Sequence, residues 1–130
     1  KVHPNFRVIF TSNSIEYAGV HRAQDALLDR MVGVYMDYYD TETEAKIIMS
    51  HSDVKENEAM LIAEMLSSVR KKLPEESWPG TRAGVIVAQG MQFAEKFDKG
   101  NVKQLLGDVI TSKTQNSKHF REQMKIINGL

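Results

Sequence analysis

The segment from Phe6 to Arg30 limits the folds open to this chain more than any other part of the sequence. It begins with an apolar run, Phe6 to Phe10, that is rich in β-branched and aromatic residues and lacks a clean polar and apolar alternation. Such a run is typical of a strand covered on both faces, as the strands of parallel sheets are. The polar residues Thr11, Ser12 and Asn13 follow, where an open parallel sheet binds its ligands. The segment therefore predicts part of an α/β fold with a site at the strand's end.

Asn13 is the first candidate site residue. Its amide can donate to a phosphate oxygen and accept from a water molecule at the same time. It can equally end the strand by bonding to its own backbone, as Asn often does in turns. The pattern alone leaves both interpretations open.

The rest of this segment predicts one helix and a second strand. We expect a helix from about Ala23 to Met31, because its apolar residues recur at helical spacing. Val32 to Tyr39 has the partial alternation of a strand. Arg30 lies between them and is either part of a weak surface ion pair or a functional guanidinium.

The sequence after Asp40 predicts only helices, which we interpret as a helical lid over residues 41–130, after an α/β part over residues 1–40. The fold expected is therefore mostly α, with two strands of a parallel sheet at the beginning. Local signals place the ends of these helices. They are a capping box Thr41-x-x-Glu44 for a helix over 42–50, Asp53-x-x-Glu56 for one reaching about Lys72, Thr81 for one over 82–97, Gly100 and Asn101 for the next, and a last amphipathic segment with Phe120, Met124 and Ile127.

Two groups of residues within the predicted lid have assigned roles. The spacing of Leu61, Ile62, Met65, Leu66 and Val69 predicts one buried stripe, with methionine as core filler. Arg70, Lys71 and Lys72 end the same helix, where cations suit its negative end.

Arg82 is placed differently, because it falls in the first turn of a predicted helix. A cation is unfavourable at that end unless an anion is expected there. The alternatives are an arginine paired with a neighbouring carboxylate and an arginine that binds an anion.

Composition and missing motifs narrow the function. With 17 basic and 17 acidic residues in 130, no overall field attracts nucleic acid or an anionic membrane. The absence of cysteine fits a reducing compartment and excludes disulfides and thiolate metal sites. Neither a GxxxxGK[ST] loop nor an apolar strand ending in Asp-Glu occurs, so we expect no hydrolysis of a nucleoside triphosphate by this chain alone. We expect it to be part of a larger protein.

The stretches HPNFRVIFTSN and EYAGVHRAQDALLDRM together resemble the sensor and arginine-finger segment of the MoxR-type AAA+ ATPases, in particular their gas vesicle branch. The resemblance covers the first forty residues and continues more weakly around Thr81-Arg82-Ala83. It implies that Asn13 positions water or senses the γ-phosphate. It implies that Arg30, in Leu-Asp-Arg, reaches the nucleotide of the next subunit, and that Arg82 is the sensor-2 arginine.

The resemblance also implies the protein's setting. The expected function is ATP hydrolysis in the cytoplasm, coupled to gas vesicle formation, with ATP and Mg²⁺ bound mainly by upstream residues. The expected partners are identical subunits in a ring of six and other gas vesicle proteins, without nucleic acid or membrane. One alternative is a MoxR-type chaperone that activates an enzyme or aids its metal insertion. Another is a non-enzymatic helical interaction module.

Overall fold

The structure is a computed structural model that describes residues 3–11, 29–112 and 117–130. The chain divides into two compact units, Lys1–Tyr35 and Met36–Leu130. In the first unit the described residues form turns and irregular chain rather than helices or strands. One such turn is closed by Phe6, whose backbone N–H donates to the carbonyl of His3 at 2.9 Å.

The two predicted strands are not seen in the described residues. Residues 6–11 and 32–40 have no strand pairing, and their apolar side chains are exposed, with 91% of Ile9 and 93% of Val32 accessible to solvent. A strand needs a neighbour for its backbone hydrogen bonds, and apolar composition cannot replace that neighbour. The predicted helix over 23–31 lies mostly outside the described residues, and its end at Asp29 and Arg30 is a turn.

The second unit is helical, as the sequence predicts for the lid, and the described chain as a whole is mostly α. Five helices are described. They are α1 (Thr41–Ser50), α2 (Glu56–Arg70), α3 (Thr81–Met91), α4 (Lys99–Thr111) and α5 (Ser117–Asn128), with a short 3₁₀ turn at Glu75–Ser77. None of these helices is both long and apolar enough to cross a membrane.

Several helix ends differ from those predicted. Asp40, rather than Thr41, is the N-cap of α1, and its carboxylate accepts from the backbone N–H of Thr43 at 2.9 Å and from the Thr43 hydroxyl at 2.8 Å. These bonds, the backbone one first, hold the pKa of Asp40 below its ordinary value, because they favour the charged carboxylate. The capping box predicted at Thr41 and Glu44 is therefore wrong.

The starts of α2 and α4 also lie elsewhere. α2 begins after Lys55, whose N–H donates to Glu58 at 2.8 Å, so Asp53 is not its cap. Asp98 caps α4 by accepting from the N–H of Asn101 at 2.9 Å. Helix α3 ends at Met91 rather than at about 97. Gly100 lies inside α4 and does not end α3. Each boundary contains several residues able to cap, and local pattern does not say which of them is used.

Side chains from all five helices form the core. The stripe predicted on α2 is confirmed, with Leu61 at its partly buried edge and Met65 as core filler. Residues with no solvent exposure include Ile48, Ile62, Leu66, Leu106 and Ile127. Gly84 lets α3 approach α1 and α2 closely, because a Cβ there would lie 2.7 Å from Leu66 Cδ1 and 2.8 Å from Ile48 Cδ1.

Candidate functional site at the start of helix α3

The three site residues predicted from the sequence fall in different parts of the chain. Asn13 lies outside the described residues. Arg30 is exposed and lies in a turn of the first unit. Arg82 is exposed in the first turn of α3, within the second unit. The geometry available for a site is therefore that around Arg82.

The start of α3 is electropositive and has no side-chain cap. Its N-cap is Gly80, which has no side chain to accept from the first N–H groups, and no acidic residue lies in the first turn. Among the described residues, no carboxylate forms an ion pair with Arg82. The helix dipole and the guanidinium therefore add at this end, and an anion would be favourable there. Among the residues whose side chains the structure describes, pairing of Arg82 with a neighbouring carboxylate, one of its two alternatives, is not seen.

A cavity of about 430 Å³ opens beside Arg82. Its volume is within the usual range for small-molecule sites. Among the described residues that line it, Arg82 is the charged one and much of the rest is apolar. The lining residues are Ser77, Trp78, Pro79, Gly80, Arg82, Ala83, Ile86, Val109, Ile110, Ser112 and Gln123. The cavity could accept a ligand that combines an anionic group with an apolar or aromatic one.

A buried ion pair lies beneath the turn that leads into α3. Glu44 on α1 is fully buried and Arg70 at the end of α2 is 8% exposed. The pair is bidentate, with Arg70 Nη1 donating to Glu44 Oε2 at 2.8 Å and Nη2 donating to Oε1 at 2.7 Å. Glu44 therefore does not have the capping role predicted for it. Arg70 lies in the last turn of α2, as predicted, but it is buried and paired with Glu44.

The same pair binds the turn before Arg82. Arg70 Nε donates to the carbonyl of Pro79 at 2.8 Å. The Thr81 hydroxyl donates to Glu44 Oε1 at 2.7 Å, so Thr81 is not the N-cap predicted for this helix. Side chains of α1 and α2 thus hold the two residues on either side of Gly80.

Aromatic side chains cover this network. The Tyr38 ring lies over the Arg70 guanidinium, with 4.2 Å from Cζ to the ring centroid. Tyr38 also meets Trp78 edge to face at 5.7 Å between centroids. Trp78, a wall of the cavity, is fixed by an Nε1 bond to the carbonyl of Leu73 at 2.9 Å. Cation–π and edge-to-face contacts of this kind are favourable and directional.

The helical spacing in the sequence contains a signal for the buried pair. Glu44 lies four residues before Ile48, and Arg70 lies four residues after Leu66, so each shares a helix face with a core residue. A lone charge on an apolar face is costly, whereas two opposite charges on neighbouring helices can compensate each other. Glu44 and Arg70 both lie near a predicted helix end, where a capping carboxylate and a helix-end cation are common. These local roles explained each residue separately, so the pairing was not predicted.

No metal site is found in this part of the chain. Within residues 3–11, 29–112 and 117–130, no three His, Cys, Asp or Glu side chains are grouped so that they could hold a metal ion.

Comparison with known proteins gives clear relatives. The chain is 46% identical over 112 residues to Gas vesicle ATPase GvpN2 of Halobacterium salinarum, a match that covers 86% of this chain and 32% of that protein. It is 42% identical over 122 residues to Gas vesicle ATPase GvpN of Haloferax mediterranei, covering 93% of this chain and 35% of the relative. No protein-family model and no solved structure matches the chain.

A third relative, Gas vesicle ATPase GvpN1 of Halobacterium salinarum, is 40% identical over 121 residues and is covered over 34% of its length. The chain thus spans about a third of the length of these relatives. All three of these relatives are named as ATPases. Along the part of these relatives that it spans, the chain is homologous to the gas vesicle ATPases named GvpN.

Proposed function

We propose that the chain forms the sensor and lid part of an AAA+ ATPase of the GvpN type. In this proposal residues 1–40 complete the α/β core, and residues 41–130 are the lid. The observation that carries the proposal is the position of Arg82, an exposed cation at the uncapped start of α3, beside a cavity large enough for part of a nucleotide.

Arg82 would act as the sensor-2 arginine. The phosphates of ATP would accept from its guanidinium, at a helix start whose dipole also favours an anion. Such contacts exist only when nucleotide is bound, so they would draw the lid toward the core. ATP and Mg²⁺ would be bound mainly by residues upstream of this segment, and we expect the segment alone to be inactive.

Asn13 and Arg30 would serve the same chemistry from the first forty residues. Asn13 would orient the attacking water or sense the γ-phosphate. Arg30 would stabilise the charge that develops on the γ-phosphate held by the next subunit. Residues 6–10 and 32–39 would become strands once neighbours are present, which would cover side chains that are exposed here, such as Ile9 and Val32.

An arginine that acts across a subunit boundary requires a neighbouring copy, and we propose that six copies form a closed ring. Hydrolysis in the cytoplasm would drive the remodelling, in the manner of a MoxR-type chaperone, of other gas vesicle proteins during gas vesicle formation. The names of the relatives favour this role over activation of a metalloenzyme.

The test is the Arg82→Ala variant of the complete ATPase. We expect its Kd for ATP to rise at least about tenfold, because one charge-assisted phosphate contact is lost. Its thermal midpoint should stay close to that of the wild type, because Arg82 is exposed. Titration calorimetry with a non-hydrolysable ATP analogue and Mg²⁺ measures the affinity.

The matched control is Arg121→Ala, which removes an exposed arginine from α5 outside the lining of the cavity. It should leave the ATP affinity unchanged. Equal affinities for the wild type and Arg82→Ala, or equal losses in the two variants, would contradict the sensor role.

A further inference from the structure

We infer that Glu44, Arg70 and Thr81 are positioning residues for Arg82, because they fix the place and direction in which α3 begins. The inference rests on the proposed role of Arg82 toward nucleotide. It adds that the sensor is held by a buried polar network whose members do not themselves touch the ligand.

The start of α3 depends on this network more than on its own cap. Gly80 contributes no capping side chain, and a Cβ built on it would meet no atom within 4 Å, so packing does not hold it. The neighbouring residues are held instead, with the Pro79 carbonyl on Arg70 Nε and the Thr81 hydroxyl on Glu44 Oε1. Arg82 is the next residue, so its backbone position follows from these two bonds.

The network is also rigid. Glu44 Oε1 accepts from both Arg70 Nη2 and Thr81, while Oε2 accepts from Nη1, which fixes the carboxylate in one plane. Among the described residues, every buried side-chain nitrogen and oxygen has a hydrogen-bond partner. The planar guanidinium presents donors at fixed angles, so the Glu44 carboxylate and the Pro79 carbonyl that it binds keep one mutual geometry.

Stability alone does not account for this arrangement. A buried ion pair can often be replaced by apolar side chains of similar volume without loss of stability, because the desolvation cost offsets the attraction. Apolar side chains cannot bind a backbone carbonyl and a hydroxyl in defined directions. The network thus supplies orientation at the one turn of the lid that precedes the sensor arginine.

The segment before α1 joins the same network through Tyr38. Its ring lies on the Arg70 guanidinium, two residues before the cap of α1 at Asp40. A displacement of this segment would therefore shift Arg70 and, through its bond to Pro79, the start of α3. This is a contiguous chain of contacts between the entry to the lid and the sensor.

Thr81→Val in the complete ATPase is the sharpest test, because it removes one hydroxyl and keeps both the side-chain shape and the Glu44–Arg70 pair. We expect the Kd for ATP to rise about three- to tenfold. The loss of binding free energy is limited to the contribution of the one hydrogen bond that holds the turn. Thr81→Ser, which restores the hydroxyl, should recover most of the affinity. Thr111→Val is the matched control, because it removes a buried hydroxyl that donates to Gly107 at 2.7 Å within α4. Thr111→Val should leave the affinity for ATP unchanged, even if it lowers the thermal midpoint as much as Thr81→Val does.

The double variant Thr81→Val with Arg82→Ala separates positioning from general destabilisation. If Thr81 acts through Arg82, the double variant should bind ATP as weakly as Arg82→Ala alone. Additive losses, or an unchanged affinity in Thr81→Val, would overturn the inference while leaving the sensor role of Arg82 in place. An unchanged affinity in Arg82→Ala would overturn the sensor role and this inference together.

Discussion

Arg70 is the side chain on which the polar contacts around the start of α3 converge. It binds both oxygens of Glu44, the carbonyl of Pro79 and the face of Tyr38, although it is 8% exposed. Such a residue tolerates removal of its partner poorly, because a buried charge without compensation is far costlier than a missing attraction. Each half of the pair is therefore necessary to the other.

This asymmetry yields a prediction for the pair. Glu44→Leu alone should lower the free energy of unfolding by about 3–5 kcal/mol, because it leaves the Arg70 guanidinium buried and unpaired. Combining it with Arg70→Met should recover part of that loss, since both charges are then gone, while the Pro79 carbonyl and the Thr81 hydroxyl lose their partners. Urea unfolding of the wild type, the single variant and the double variant measures this. A double variant less stable than the single one would mean that the pair stabilises the fold directly.

At the scale of helices, the sequence predicted the buried face of a helix, which depends on a long pattern. It missed the helix caps, which depend on a choice between neighbouring residues. The apolar spacing on α2 was sufficient to place its buried stripe, because burial of that face favours a single orientation. The caps at Asp40, Lys55 and Asp98 were missed, since each lies within a few residues of another plausible cap. The 44–70 pair was missed for a different reason, because it joins residues 26 positions apart.

The two predicted strands show the limit of a local pattern. Residues 6–10 and 32–39 have the composition of strands, but a strand forms only when a neighbour completes its hydrogen bonds. Of the site, the sequence identified Arg82 correctly as a cation at a helix start. It could not identify the network below it, which tertiary packing assembles.

Helix α3 allows a direct test of close packing. Gly84→Ala should lower the free energy of unfolding by about 1 kcal/mol, because a Cβ at that position lies within 3 Å of two fully buried side chains, and this outweighs the gain in helix propensity. Gly90→Ala in the same helix is the control. Its Cβ would lie 3.3 Å from Leu105 Cδ1, which is only partly buried, so the substitution should be neutral or stabilising by up to about 1 kcal/mol. Thermal unfolding compares the two, and equal effects would contradict the close approach of α3 to α1 and α2.

At the scale of the whole molecule, the chain combines a helical second unit with a first unit that has no regular element in its described residues. Its relatives are about three times longer. The proposal gives the two arginines different tasks in an assembled ring, since Arg82 serves the nucleotide of its own subunit and Arg30 serves that of the next. Arg30→Ala should accordingly abolish turnover and leave ATP affinity nearly intact.

The most direct measurement mixes these two variants of the complete ATPase and follows ATP hydrolysis near the wild-type KM. Arg30→Ala should be nearly inactive alone, and Arg82→Ala should be slow at this ATP concentration because it binds ATP at least about tenfold more weakly. In mixed rings some sites receive Arg82 from one variant and Arg30 from its neighbour, so random mixing predicts about a quarter of the wild-type rate per subunit. Native mass spectrometry verifies that mixed rings form. The account would be contradicted if these rings hydrolysed ATP no faster than the two variants do when each is measured separately.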